Sequence, residues 1–314
     1  MVIDKKMLMN DLFDLSIPSI SSQVEFEKLK KQYPSVDLYY LATACQPGRK
    51  EVFTTMYEVF EKAGLSSKEF LKEIKSGKSG KFHQLSWEMF VAYSLIKNGY
   101  TVKRFTMKSG GLDFVVFLNE IPQFYVECTA SAPGKAVSVQ GASNSYITQR
   151  LANSISSKID HYSRSKVLPN FNLELPYIIA VNVGDPNIER LSFSREDNYI
   201  VLEALYKVKT LERPNIYFRL EKGRTIFPLQ GYDQEYFTGF FLSDSCKEVS
   251  AVWFSPESVL NQNREILGDA NILVFNTFAK NELDTEDLTF LNKIKFECRN
   301  SDNELLFFDI DIEA

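Results

Sequence analysis

Through the first eighty residues the apolar positions recur at helical spacing. In KEVFTTMYEVFEKAG, Val52, Phe53, Met56, Val59 and Phe60 share one stripe, and Gly64 closes it. SSKEFLKEIKSG predicts a shorter helix, opened by a capping box of Ser66 with Glu69 and ended at Gly77. GKSGK reads as a short link. FHQLSWEMFVAYSLIKNG then puts Phe82, Leu85, Met89, Ala92, Tyr93 and Ile96 on one face and stops at Asn98-Gly99.

After Gly99 the period drops to two. YTVKRF, LDFVVFL and QFYVECTA read as three strands of a β-meander. The loop SAPGKAVSVQGAS leads into a long helix, Ser145 to Ser163. LPYIIAVNV is a continuous apolar run bounded by Pro and Gly-Asp-Pro, the pattern of a strand buried on both faces. Beyond it, NIYFRL, YFTGFFL, VSAVWFS, ILVFN and LLFFDIDI read as further strands. Helix, three strands, helix and buried strand together predict an α/β protein with a mixed central sheet flanked by helices. The expected division is a helical region over 1–78, an α/β core over 79–212, and a strand-rich region over 213–314 packed on or extending the core sheet.

The chain's 314 residues suffice for one large domain or two unequal ones. The N-terminus mixes charges through its apolar residues and lacks a signal-peptide core, and no run of about 18 apolar residues suggests a membrane span. Four scattered cysteines without paired spacing favour a reduced, cytoplasmic setting. With only His83 and His161, a histidine-rich metal site is excluded. The net charge of −5 hides an asymmetry. From Lys62 to Lys108 there are ten Lys/Arg against three Asp/Glu, whereas from Asp233 to Ala314 there are six against seventeen. One basic face toward a polyanion would produce this, and so would a Lys-rich solvated helix face.

Candidate chemistry concentrates in GGLDFVVFLNEIPQFYVECTAS. Asp113 follows a Gly-Gly turn at the start of one strand, and Glu127 comes late in the next. In a hairpin these acids can stand side by side and bind a hard cation through oxygen, with the Cys128 backbone carbonyl as a further ligand. The alternative is a pair of strand-end carboxylates facing water, although Val126 and Cys128 give Glu127 a largely apolar setting, costly for an unpaired charge. Glu88 lies about 40° from Ala92 on the helical wheel, on the shoulder of the apolar stripe, so it points toward the sheet. Bonding to a buried helix start would serve it as well. In SYITQRLANSISSKIDHYSR, Lys158 falls among Ile147, Leu151, Ile155 and Tyr162 on the apolar face, where a lysine needs an anionic partner. Lys135 is a rival for that amine, and snorkelling to the surface is an alternative for Lys158. Cys128 with His161 suggests a cysteine nucleophile, but Cys128 sits mid-strand and reads as core.

These residues resemble the PD-(D/E)XK phosphodiesterase superfamily, the restriction-endonuclease-like fold. SWEMFVAYSLIKNGYTV is similar to its first core helix and strand, GLDF…YVECTAS to its second and third strands, SSKIDHY to its second helix, and PYIIAVNV to the parallel strand that follows. The likeness covers residues 82–183, under half the chain. It implies Asp113 and Glu127 as ligands of Mg²⁺ or Mn²⁺, Glu88 as an accessory acid, and Lys158 as a migrated substitute for the motif lysine. Lys158 and Tyr162 would occupy the two positions of a helix motif found in some members. Leu112 stands where the family has proline, and Thr129 where it has lysine. The implied activity is metal-dependent hydrolysis of DNA, or of RNA, in defence against foreign DNA, with a homodimer as an option. The alternative is an inactive nuclease-fold protein acting as a nucleic-acid-binding or regulatory module.

Overall fold

The structure, a computed structural model, describes residues 12–13, 17–78, 80–105, 111–130, 144–166, 168, 171–183, 199–206, 218–219, 240–242, 244–255, 271–284, 286, 288–299 and 304–310. Helices α1 (Gln23–Gln32), α2 (Leu38–Cys45), α3 (Pro47–Lys62), α4 (Lys68–Lys75) and α5 (Lys81–Lys97) come first. Then follow β1 (Thr101–Arg104), β2 (Phe114–Leu118), β3 (Ile121–Ala130), α6 (Asn144–Ser165), β4 (Tyr177–Asn182) and α7 (Tyr199–Tyr206). The remaining strands are β5 (Phe218–Arg219), β6 (Ala251–Ser255), β7 (Ile272–Phe275), β8 (Asn292–Arg299) and β9 (Glu304–Ile310).

Local chemistry sets the helix ends. Asp37 caps α2 by accepting from the amides of Tyr39 (2.8 Å) and Tyr40 (3.2 Å), and its second oxygen accepts from Gly80 at 2.7 Å, just before α5. One buried carboxylate therefore fixes two helix starts. Ser67, not Ser66, caps α4 through the Phe70 amide (3.0 Å). The Ser66 hydroxyl is instead shared with Tyr57 at 3.0 Å, and the expected Ser66–Glu69 capping box does not form: the cap sits one residue later, with Phe70 in the third helical position. Gly64 and Gly99, with φ of 72° and 89°, turn the chain out of α3 and α5 through a conformation that costs glycine little.

The strands form one mixed sheet of order β1-β2-β3-β4-β6-β7-β8-β9-β5. β1, β2 and β3 are an antiparallel meander, while β4 runs parallel to both β3 and β6. β6 to β9 continue the same sheet. Alternation divides the core. Phe114, Val116, Phe124, Val126, Cys128, Ile178, Ala180 and Trp253 face the N-terminal helices. Tyr125, Tyr177, Ile179, Val181, Val252 and Phe254 face α6 and α7. The indole of Trp87 on α5 donates to the Ala180 carbonyl at 2.9 Å, pinning the central helix to the central strand.

Of the later strand expectations, VSAVWFS and ILVFN contain β6 and β7, and LLFFDIDI overlaps β9 from Leu305 to Ile310. YFTGFFL does not make a strand in its described part. Phe240–Leu242 is a 3₁₀ turn whose Phe240 and Phe241 pack against Tyr206 and the α7 side of the core. Among the described residues no helix is long and apolar enough to cross a membrane.

Candidate active site

The β2–β3 register brings the two strand acids together. Phe114 pairs with Val126, so one step further Asp113 stands opposite Glu127, and directly opposed residues of an antiparallel pair share a face. Asp113 Oδ2 accepts from the Cys128 amide at 2.7 Å, which holds it against β3. Glu127 is buried on the α6 side and takes three side-chain donors. Lys158 Nζ reaches Oε1 at 2.8 Å, His161 Nδ1 reaches the same oxygen at 2.5 Å, and the Tyr177 hydroxyl donates to Oε2 at 2.9 Å. Lys158 and His161 are three residues apart on α6, the spacing that puts side chains on one helix face. The Nδ1 contact to a carboxylate, which can only accept, makes Nδ1 the protonated ring nitrogen.

Glu88 approaches from α5, on the other side of the sheet. Gln84, one turn earlier, donates to Glu88 Oε1 (3.2 Å) and to the Cys128 carbonyl (3.1 Å), and accepts from the Ala130 amide (2.7 Å). One side chain thus ties helix, acid and strand end. Arg104 on β1 lies 3.6 Å from Glu88 Oε2. Its Nε donates to the Leu65 carbonyl at 2.7 Å, and its guanidinium sits 5.2–5.6 Å from the rings of Phe60, Phe70 and Phe114. Such an aromatic enclosure favours a cation with little water around it.

The electrostatics record the crowding. Burial, then the Asp113 charge, pushes Glu88 up to about 7, against the partial relief of Arg104. Burial also raises Asp113, with Lys158 lowering it and Glu127 raising it. Burial alone would lower Lys158, but the carboxylates of Glu127 and Asp113 outweigh it and hold the ammonium above its ordinary range. Lys158 therefore stays charged at neutral pH.

The structure brings Asp113, Glu127, Lys158 and Glu88 into one electrostatic cluster. Lys158 reaches Glu127 rather than the surface, and Lys135 lies outside the described residues. Tyr162 stacks on Tyr177 with ring centres 4.2 Å apart. Cys128 is a core residue, as its mid-strand position predicts, and does not face His161. The Cys128 thiol is buried on the side of the N-terminal helices, with its pKa pushed well above normal by burial, whereas His161 meets Glu127 on the opposite side. The sequence did not single out Gln84, Arg104 or Tyr177 for the site, nor His161 as a partner of Glu127. Gln84 and His161 had a legible signal, being four and three residues from Glu88 and Lys158 on their helices.

Three carboxylates here face two side-chain cations, Lys158 and Arg104. An excess of buried negative oxygen suits a hard divalent ion such as Mg²⁺ or Mn²⁺, which is commonly held by one or two carboxylates plus water and substrate phosphate. Among the described residues no group of three or more His, Cys, Asp or Glu side chains is arranged to hold a metal by itself. The Cys128 carbonyl already accepts from Gln84. A cation held here by Asp113 and Glu127 would need substrate and water to complete its coordination.

The fold and this cluster define a mixed α/β protein with a buried carboxylate–lysine site beside the β2–β3 hairpin. No protein-family model, curated protein or solved structure matches the chain.

Proposed function

We propose that this protein is a divalent-cation-dependent phosphodiesterase of the restriction-endonuclease-like class, acting on nucleic acid and first of all on DNA. The observation that carries the reading is the meeting of Asp113, Glu127 and Glu88, from three separate elements, with the helix-borne ammonium of Lys158. An antiparallel hairpin followed by a helical crossover into parallel β4 supports the fold assignment. Thr129 leaves the usual lysine position vacant, and Lys158 supplies the same charge from α6.

Asp113 and Glu127 would hold the cation, with Glu88 acting on Asp113 from the other side of the sheet. Bound there, the cation would polarise the scissile phosphate and acidify a water. Lys158, held protonated, stabilises negative charge that develops on the phosphate oxygens. His161 and Tyr177 fix the Glu127 carboxylate in orientation, and Gln84 does the same for Glu88. Arg104 offsets part of the charge on Glu88.

The test is cleavage of plasmid, single-stranded DNA and RNA with Mg²⁺ or Mn²⁺, comparing wild type with Asp113→Ala. Cation-dependent cleavage by wild type and none by the variant is expected. A second reading, a catalytically silent nucleic-acid-binding module, is favoured by the three protein donors already on Glu127. Binding without cleavage under every cation would select it.

A further inference from the structure

Helix α4 segregates its charges. Phe70 and Ile74 are buried, and at 100° per residue Lys68, Lys72 and Lys75 fall within an arc of about 60° opposite them. Glu69 and Glu73 lie to one flank of that arc. All five charged side chains are exposed, and none of the three lysines has an ion-pair partner among the described residues. Exposed Lys62 precedes the stripe, and exposed Lys78 and Lys81 follow it. Helix α1 has a similar number of charges, but its Lys30 and both of its acids are engaged within the helix and its cap. There Lys30 pairs with Glu27 at 3.0 Å, and Glu25 closes a capping box with Ser22.

We propose that the outer face of α4 is the track on which the phosphate backbone of a nucleic acid docks beside the acid cluster. The inference rests on the phosphodiesterase reading for what happens at the acids, but not for the docking itself. Position supports it. Phe70, on the inner face of α4, packs on the Arg104 guanidinium, which faces Glu88, and Arg104 also holds the Leu65 carbonyl just before the helix. The lysine stripe thus lies on the far side of α4 from Glu88, one helix diameter plus the Phe70–Arg104–Glu88 contacts away, roughly 20 Å. An acidic site repels a polyanion, so a separate cationic surface must hold the strand there.

The composition of the stripe selects the partner. Its exposed side chains are all charged, with no aromatic or aliphatic anchor of the kind that protein interfaces use. The apolar side of α4 is buried in the core and cannot enter a membrane surface. What remains is sequence-independent contact with phosphates.

The experiment measures binding of a short fluorescent DNA duplex in EDTA over a range of salt concentrations. It compares wild type, the triple variant Lys68→Gln/Lys72→Gln/Lys75→Gln, and the α1 control Lys28→Gln/Lys30→Gln/Lys31→Gln. Thermal melts establish that each is folded. In the triple variant the slope of log K against log salt should fall by about 2–3, and affinity at least tenfold, with the control unchanged. Hydrolysis of bis(4-nitrophenyl) phosphate, too small to reach α4, should match wild type. An unmoved slope in the triple variant, or an equal loss in the control, overturns the track even where hydrolysis is intact. Vesicles of equal parts phosphatidylserine and phosphatidylcholine that bind through these lysines while duplex does not also overturn it. A lysine-dependent slope with no hydrolysis of any substrate sustains the track and removes the phosphodiesterase reading.

Discussion

On one side of β3, Phe124, Val126 and Cys128 lie in an aromatic and aliphatic core under α5. On the other, Glu127 meets a phenol, an imidazole and an ammonium from β4 and α6, and Tyr125 stacks on Phe171. The same ten-residue strand therefore serves two kinds of cohesion. The apolar side depends on filled volume and tolerates exchange among side chains of similar size. The polar side depends on every donor finding its acceptor, because a buried carboxylate that loses one partner has no water to replace it. Packing errors should reduce stability and leave chemistry intact, whereas errors in the polar cluster should always reach the chemistry, and should reach stability only where a buried charge loses its partner.

The strongest break in that contrast is Asp113→Ala. Cleavage should fall by about 10³-fold or more, while the melting temperature holds or rises, because the substitution removes a carboxylate that burial already disfavours. Initial rates and thermal melts report both. Phe124→Ala is its mirror. It should cost about 3–5 kcal/mol in urea titration and leave the cleavage rate per folded molecule unchanged.

Lys158→Met removes the partner of a buried charge and should destabilise by about 3 kcal/mol, as well as slowing cleavage. Adding Glu127→Gln should recover at least half of that stability, and none of the activity. Glu88 sharpens the comparison through pH. Its folded pKa of about 7 lies above the ordinary 4.5, so the folded chain binds more protons than the unfolded chain between those values. Stability from this group is present below pH 4.5 and lost as pH rises through 7. In chelator, the stability of Glu88→Gln relative to wild type should therefore grow by up to about 3 kcal/mol from pH 4.5 to 7, measured by denaturant titration. Tyr177→Phe is the mildest. Losing one donor to Glu127 should cost about 1.5 kcal/mol and raise the Mg²⁺ concentration needed for half-maximal cleavage.

What was legible in the sequence follows the same divide. The β1–β3 meander and buried β4 could be read because alternation and continuous apolar runs report directly on which faces are covered. Asp113, Glu127 and Lys158 could be read because each breaks such a pattern with a charge. YFTGFFL misled because an apolar run reports burial without period, and Phe240 and Phe241 are buried from a 3₁₀ turn as fully as from a strand. The Ser66–Ser67 pair offered two equivalent caps one residue apart. Arg104 and Tyr177 were silent because a single inward arginine or tyrosine acquires meaning only from partners far along the chain, Glu88 and Leu65 for one and Glu127 for the other.

Strand β4 has both of its neighbours in parallel register. Tyr125 of β3 pairs with Tyr177, and Ala251 of β6 pairs with Ile178, from segments roughly fifty and seventy residues away. During synthesis the middle of the sheet therefore stays unpaired on one edge until Ser255 has left the ribosome, and Trp87 lacks its edge-on contact with Trp253 until then. The amides of Ile178–Asn182 should be the last to exchange with deuterium in the native protein, and the interval before β6 arrives is when the nascent chain most needs a chaperone.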